Sequence, residues 1–299
     1  MCSLLKTCFV LTAAALLSGC NVAVLEPKGV VAAQQKDLLL VSVLLMLFIV
    51  IPVILLTFFI ATKYKASKKA EYKPDWAHNP WLEFIWWVIP CIIIAVLATI
   101  TWIYTHKLDP YHSLDKHELK QAQHKQMTIQ VVALQWRWLF IYPKQHIATI
   151  NTVHFPVNTP VKFVITADAP MNSFQIPQLG GQIYAMNGMQ TKLHLLATAK
   201  GTYRGQSTNF SGAGFAYMNF KAHVTSYQDF QNWVKSVKHS KAEKQLDWDL
   251  YENEVQPATH DTGVHHYYPV KPGLYKQIIR QFITPNLHHV DHTEFGVQL

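Results

Sequence analysis

The sequence predicts a two-helix transmembrane hairpin followed by an all-β sandwich and a mainly helical C-terminal extension. Three observations predict it. Residues 38–62 and 84–105 are apolar stretches without a single charged side chain. Residues 127–226 hold short β-rich runs separated by turn signals. From Tyr227 onward, apolar residues return at helical spacing with polar residues between them.

Half of the 299 residues are hydrophobic and 15% are charged. The apolar excess lies before residue 106, and the remainder reads as an ordinary globular sequence. The formal charge of +8 does not mark a nucleic-acid partner, because the lysines are scattered and form no basic stripe with interleaved aromatics. The four cysteines are Cys2, Cys8, Cys20 and Cys91. None follows residue 91, so the long C-terminal part has neither a disulfide framework nor a thiolate ligand.

At the start, Lys6 precedes an apolar run from Cys8 to Leu17 that is too short to cross a bilayer. It ends in Leu17-Ser18-Gly19-Cys20, which resembles the bacterial lipoprotein signal. The resemblance implies that residues 1–19 are a signal peptide, that Cys20 is acylated, and that residues 20–37 lie outside the membrane.

Residues 38–62 and 84–105 each exceed the roughly 20 residues that a helix rising 1.5 Å per residue needs to cross. Pro52 and Pro90 lie inside them, as membrane helices tolerate. Trp76, Trp81, Trp86 and Trp87 gather at one end of the second stretch, and Trp102 and Tyr104 mark the other, as interfacial aromatic belts do. The connecting residues 63–83 carry Lys63, Lys65, Lys68, Lys69 and Lys73, whereas residues 20–37 carry only Lys28 and Lys36. The positive-inside rule places this loop in the cytoplasm. Residues 106–226 and the extension 227–299 then face the periplasm of a two-membrane bacterium, with the spans in its inner membrane.

In the outer part, Met127 to Ile141 is rich in β-branched and aromatic residues. Val161, Phe163 and Ile165 form one alternating run, and Met218, Phe220, Ala222 and Val224 another. Asn158-Thr159-Pro160, Gly180-Gly181, Lys200-Gly201 and Gly212-Ala213-Gly214 punctuate them. Such spacing predicts a β-sandwich. Phe230, Trp233, Val234 and Val237 predict one amphipathic helix, and Leu274, Ile278, Ile279 and Phe282 a second. His265, His266, His288, His289 and His292 read as part of a solvated tail.

Two apolar helices followed by an outside sandwich resemble subunit II of haem-copper respiratory oxidases, which implies a cupredoxin-like Greek-key fold. In the cytochrome c oxidases of that family, the sandwich binds a two-copper centre, CuA. Its ligands are a histidine near a Ser-Phe pair and a later Cys-x-Glu-x-Cys-x3-His-x2-Met loop. Here Asn172, in Met171-Asn172-Ser173-Phe174, stands at the first histidine position. Ser207 and Ser211 stand at the cysteine positions, Asn209 at the glutamate, and Phe215 at the second histidine; Met218 alone is retained. Serine hydroxyls stay protonated near neutral pH, and a lone thioether is a weak substitute for soft thiolates. No metal is therefore expected in this chain.

Further segments are similar to the bo-type ubiquinol oxidase branch: Phe140-Ile141-Tyr142-Pro143, Gln182-Ile183-Tyr184-Ala185-Met186, Gly188-Met189-Gln190-Thr191 and Pro27-Lys28-Gly29. The resemblance implies a subunit of a proton-pumping complex that oxidises ubiquinol and reduces oxygen. Haems and the remaining copper, CuB, are expected in subunit I, which is the partner along with other membrane subunits. No cofactor and no catalytic residue is expected in this chain. A quinol dissolved in the bilayer needs no external copper relay. Glu83, in Asn79-Pro80-Trp81-Leu82-Glu83-Phe84, is implied to lie at the entrance of subunit I's K proton pathway. Trp136 and Trp138 match an electron-accepting aromatic stretch of the CuA relatives, and without CuA they read as packing residues. Two other readings stay open at this stage: a cytochrome c oxidase subunit whose CuA has decayed, and a free-standing lipoprotein binding module.

Overall fold

The computed structural model describes residues 23–65, 78–115, 118–240, 244–257 and 262–283. Cys20, Lys68, Lys69, Lys73, Trp76, His288, His289 and His292 lie outside these residues. The chain forms two compact units. One comprises Gln34–Asp109, and the other the residues up to Ala33 and from Pro110 onward.

The first unit is built from two helices, α1 (Val30–Lys63) and α2 (Pro80–Lys107). Their large apolar side chains are exposed along nearly the whole length, Phe48, Phe58, Trp87 and Trp102 among them. A core helix of a soluble protein would bury that surface; a helix in lipid leaves it outward. Polar groups within the helices are satisfied locally. The hydroxyls of Thr57, Thr62 and Thr99 donate to the carbonyls of Val53, Phe58 and Ala95, one turn back, at 2.7–2.9 Å. α1 begins eight residues before its uncharged stretch, at Val30. Its first turn belongs to the other unit, where Ala32 N–H donates to Leu179 O.

That other unit is a sandwich of two sheets. The six-stranded sheet has the order β11-β3-β2-β1-β5-β8 and the five-stranded one β4-β10-β9-β6-β7. The strands are β1 (Met127–Ala133), β2 (Trp138–Tyr142), β3 (Ile147–Ile150), β4 (Thr152–Pro156), β5 (Pro160–Ala167), β6 (Asn172–Gln175), β7 (Gln182–Ala185), β8 (Thr191–Leu196), β9 (Gly201–Ser207), β10 (Asn219–Thr225) and β11 (His265–Tyr267). β1 pairs parallel with β5, and β4 with β10; the other pairs are antiparallel. The expected alternation of Phe163 and Ile165 falls on β5, and that of Phe220, Ala222 and Val224 on β10. The run 127–141, read as one β-rich stretch, is two strands joined by a tight hairpin at Gln135-Trp136, where Leu134 N–H donates to Arg137 O.

Between the sheets sits an aromatic core. Trp138, Phe140, Phe163, Phe174 and Phe220 are all essentially inaccessible. Phe174 and Phe220 stack at 5.1 Å, and Trp138 meets Phe174 edge-on at 5.3 Å. Such pairs each contribute about 0.5–1.5 kcal/mol beyond the area they bury.

The outer face of the six-stranded sheet is covered too. Leu134, Leu139, Ile141, Ala148, Ile150 and Val164 pack against Leu246, Tyr251, Val255, Leu274, Tyr275 and Ile278 of the C-terminal extension. β2 and β3 are consequently buried at every position, which is the pattern of a sheet enclosed on both sides. The extension contains α3 (Tyr227–His239), capped by Ser226, whose side chain accepts from Asp229 N–H. It continues through a helical turn at Trp248–Leu250, a π-helical turn at Tyr251–Val255, and α4 (Leu274–Ile283). Three polar contacts fasten it. Tyr251 donates its hydroxyl to buried Asp168 at 2.5 Å, Tyr275 donates to Val164 O at 3.0 Å, and Arg137 donates to Val255 O at 2.6 Å. Burial, then the Asp168 carboxylate, pushes the Tyr251 phenol far above its ordinary range, so it stays a donor.

At the other end of the chain, a strap precedes α1. Lys28 N–H donates to Gln178 O at 2.7 Å, Thr198 N–H donates to Lys28 O at 2.8 Å, and Gly29 bridges to Ala197. The strap lies so close to the 179–180 turn that a Cβ on Gly180 would sit 2.5 Å from Ala32 N, and Gly180 has φ +96°. Only glycine suits both demands.

Replacing Tyr251 with phenylalanine is expected to cost about 1.5–3 kcal/mol. Chemical denaturation of the detergent-solubilised chain, followed by near-ultraviolet circular dichroism, measures it; an unchanged midpoint would show that the hydroxyl fastens nothing.

Candidate functional site

The structure brings the sequence-predicted frame residues together at one end of the sandwich. Asn172 opens β6, Ser207 closes β9, and the loop 208–218 connects β9 to β10. Within that loop Phe215–Tyr217 forms one 3-10 turn, after which Met218 is buried. β6 and β9 are paired neighbours, Phe174 opposite Ser207. This register places Asn172 and Ser207 side by side although 35 residues separate them.

Asn172, Ser207 and Asn209 spend polar groups on one another or on nearby backbone, whereas the buried Ser211 hydroxyl has no hydrogen-bond partner among the described residues. The Ser207 hydroxyl lies 2.9 Å from Asn172 Oδ1, to which it donates. Asn172 Nδ2 donates to Pro170 O at 2.6 Å, and Asn209 Nδ2 to Met171 O at 2.8 Å. Thr208 N–H donates to Ser173 O at 3.1 Å. Asn172 is fully buried, so its bond with Ser207 is shielded from water and correspondingly firm. Phe215 contributes a ring, which meets Phe210 edge-on at 5.7 Å.

A CuA centre needs two bridging thiolates and two imidazoles. The residues here offer hydroxyls, amide groups, a phenyl ring and one thioether, and the Asn172 oxygen already accepts the Ser207 proton. The donor set does not fit the group.

Trp136 closes the end of the frame. It occupies the left-handed region at φ +68°, costly for a bulky residue. Its indole N–H donates to Ser211 O at 3.1 Å. A Cβ on Gly214 would lie 2.2 Å from the Trp136 ring, so the loop fits over the indole only because that residue is glycine. Trp138, two residues on, points the other way into the aromatic core. Both tryptophans are packing residues within the sandwich.

Glu83 lies in the other unit, in the first turn of α2. Asn79 caps that helix, its side-chain oxygen accepting from Trp81 N–H at 3.1 Å and Leu82 N–H at 3.2 Å, and Pro80 opens the first turn. The Glu83 carboxylate is partly exposed and stands 3.4 Å from His78 Nδ1.

Sequence reading missed a histidine cluster on the outer face of the five-stranded sheet. His154 of β4 and His223 of β10 are register partners and stack at 4.4 Å. Trp233 of α3 stacks on His154 at 4.1 Å and 10°. His266 meets Trp233 at 6.4 Å. His265 and His266, expected in a solvated tail, instead form the edge strand β11 beside β3. The three residues of β11 are too few to show a period, which is why the sequence hid it.

Residues 143–225 match the family described as cytochrome c oxidase subunit II, periplasmic domain. Fold and match together define the class as a membrane-anchored oxidase subunit II with a periplasmic-type sandwich. Cytochrome bo(3) ubiquinol oxidase subunit 2 of Pseudomonas putida is 50% identical over 282 residues, 94% of this chain and 87% of that protein. The subunit of the same name from Buchnera aphidicola is 43% identical over 94% of this chain and 95% of its own length. Ubiquinol oxidase subunit 2 of Acetobacter aceti is 45% identical over 91% of this chain and 86% of its own. The chain belongs to the family of ubiquinol oxidase subunit 2. Membership implies a partner, the oxidase's subunit I.

Gly214→Ala is expected to destabilise the sandwich by about 1–3 kcal/mol by forcing the Trp136 ring out of place. A thermal shift of the purified chain reads this, and an unchanged midpoint would mean that the indole is free to move.

Proposed function

We propose that this chain is the non-catalytic second subunit of a proton-pumping ubiquinol oxidase in an aerobic respiratory chain, and that it carries no redox centre of its own. The observation that supports this best is the filled ligand frame. Asn172, Ser207, Asn209, Ser211 and Phe215 replace the metal-binding residue types, and Ser207 and Asn172 satisfy each other. In this reading electrons pass from membrane-dissolved ubiquinol to haems and CuB in subunit I. The chain anchors the sandwich over that subunit, stabilises it, and contacts the other membrane subunits. Relatives that bear the name ubiquinol oxidase support the choice of donor.

Two residues carry further roles in this proposal. Cys20 bears a lipid, so the mature chain is held in the bacterial inner membrane by two spans and an acyl anchor, with the sandwich in the periplasm. Glu83 takes up protons from the cytoplasm at the entrance of the K pathway of subunit I. A partly exposed carboxylate at the start of a span can exchange protons with water and hand them inward.

Turnover of the purified complex decides between donors. Oxygen consumption is expected with ubiquinol and none with reduced cytochrome c; the reverse pattern defeats the proposal. Glu83→Gln is expected to slow quinol turnover by about tenfold or more at unchanged haem content. Equal turnover in the variant would remove Glu83 from the proton path.

A further inference from the structure

The histidine cluster has a geometry that the oxidase reading does not use. His154 lies between the rings of His223 and Trp233, at 4.4 and 4.1 Å, in near-parallel planes. Its backbone is fixed: Tyr142 hydroxyl accepts from His154 N–H at 2.7 Å and donates to His154 O at 3.1 Å. His223 is held by Thr202 Oγ1 at 2.9 Å from its Nδ1. The stack therefore joins the sheet to α3 through Trp233, which also packs on Tyr142 and Phe230. The rest of the seat of α3 is small: Phe230, Val234 and Val237 are its buried residues.

We infer that this stack is an acid-sensitive clasp, which holds α3 on the sandwich while His154 is neutral and releases it when the stack takes up protons. The groups facing His154 are all bases or neutral rings. His223 comes from β10, His266 from β11 and Trp233 from α3, with Tyr142 of β2 at its backbone. Lys221 acts on His223, and His265 on His266. On α3 itself, the Lys238 ammonium lies over the Tyr268 ring at 5.4 Å. Among the described residues, no carboxylate acts on His154, His223 or His266. An imidazolium does gain from a tryptophan face. Burial and the neighbouring bases outweigh that gain, and hold His154 down at about 3. His223 and His266 are lowered in the same direction, first by burial and then by neighbouring bases.

The sign follows from linkage. An exposed histidine titrates at about 6.5. A group whose folded pKa is depressed below that value contributes stability that is complete above about 6.5 and is lost as pH falls toward the folded value. A single histidine moved from 6.5 to about 3 favours release about thirtyfold at pH ~5 relative to neutral pH. His223 and His266 steepen the change. A domain facing the outside experiences such pH values directly, whereas cytoplasmic parts of the complex do not.

Hydrogen exchange of the full chain in detergent tests the clasp, with labelling times scaled to the intrinsic rate at each pH. Amides of α3 are expected to lose about thirtyfold protection between neutral pH and pH ~5, while those of β1 and β2 keep theirs. His154→Phe keeps a flat ring between His223 and Trp233 but cannot bind a proton, and is expected to hold most of that protection. Protection in the wild type that is independent of pH, or an equal loss in His154→Phe, overturns the inference. Should that variant not accumulate, exchange at the imidazole C2 position of wild-type His154 decides. A midpoint below about 5 supports the clasp, and one near the ordinary 6.5 overturns it.

Discussion

The constraint on which the rest of the outer unit depends is that its six-stranded sheet has two apolar faces. One faces the aromatic core of Trp138, Phe163 and Phe174, the other Tyr251, Leu274 and Ile278. A two-layer sandwich would leave Leu139, Ile141 and Ile150 in water. The third layer is therefore part of the fold and not an appendage. Its polar fastenings lie where unpaired groups would be costly: Asp168 receives the Tyr251 hydroxyl, and Arg137 reaches the Val255 carbonyl.

The same economy explains the end of the sandwich. In a cupredoxin-type frame the strand ends converge on a small volume that must hold something. In this chain Ser207 donates to Asn172, Asn209 to Met171 O, and the Trp136 indole to Ser211 O. The convergence of β6 and β9 is preserved by hydrogen bonds. A sandwich can thus keep its shape with Ser207 bonded to Asn172 where ligands would stand.

The sequence displayed some of this openly. Both spans stand out because lipid tolerates no charge over some twenty residues, and the frame positions stand out through the resemblance to the ligand loop of the oxidase family. Other features are hidden for physical reasons. The hairpin at Gln135-Trp136 lacks the glycine or asparagine that announces a left-handed residue, because Trp136 holds that conformation through packing on Gly214. The Ser207–Asn172 pair and the His154–His223–Trp233 stack join residues distant in the chain, and no periodicity encodes them. β2 and β3 show no alternation, since every position on them is buried.

The strap at Lys28–Ala32 has a consequence for biogenesis. It fills the edge beside Leu179 and Ala197, yet it is synthesised before both spans, and its docking partners well after them. The extension that seals the opposite face comes last of all. Closure of the sandwich thus joins segments separated by most of the polypeptide, the slow kind of folding step. Residues 178–198 and then 270–283 must both be synthesised before the unit can seal on a strap made long before them.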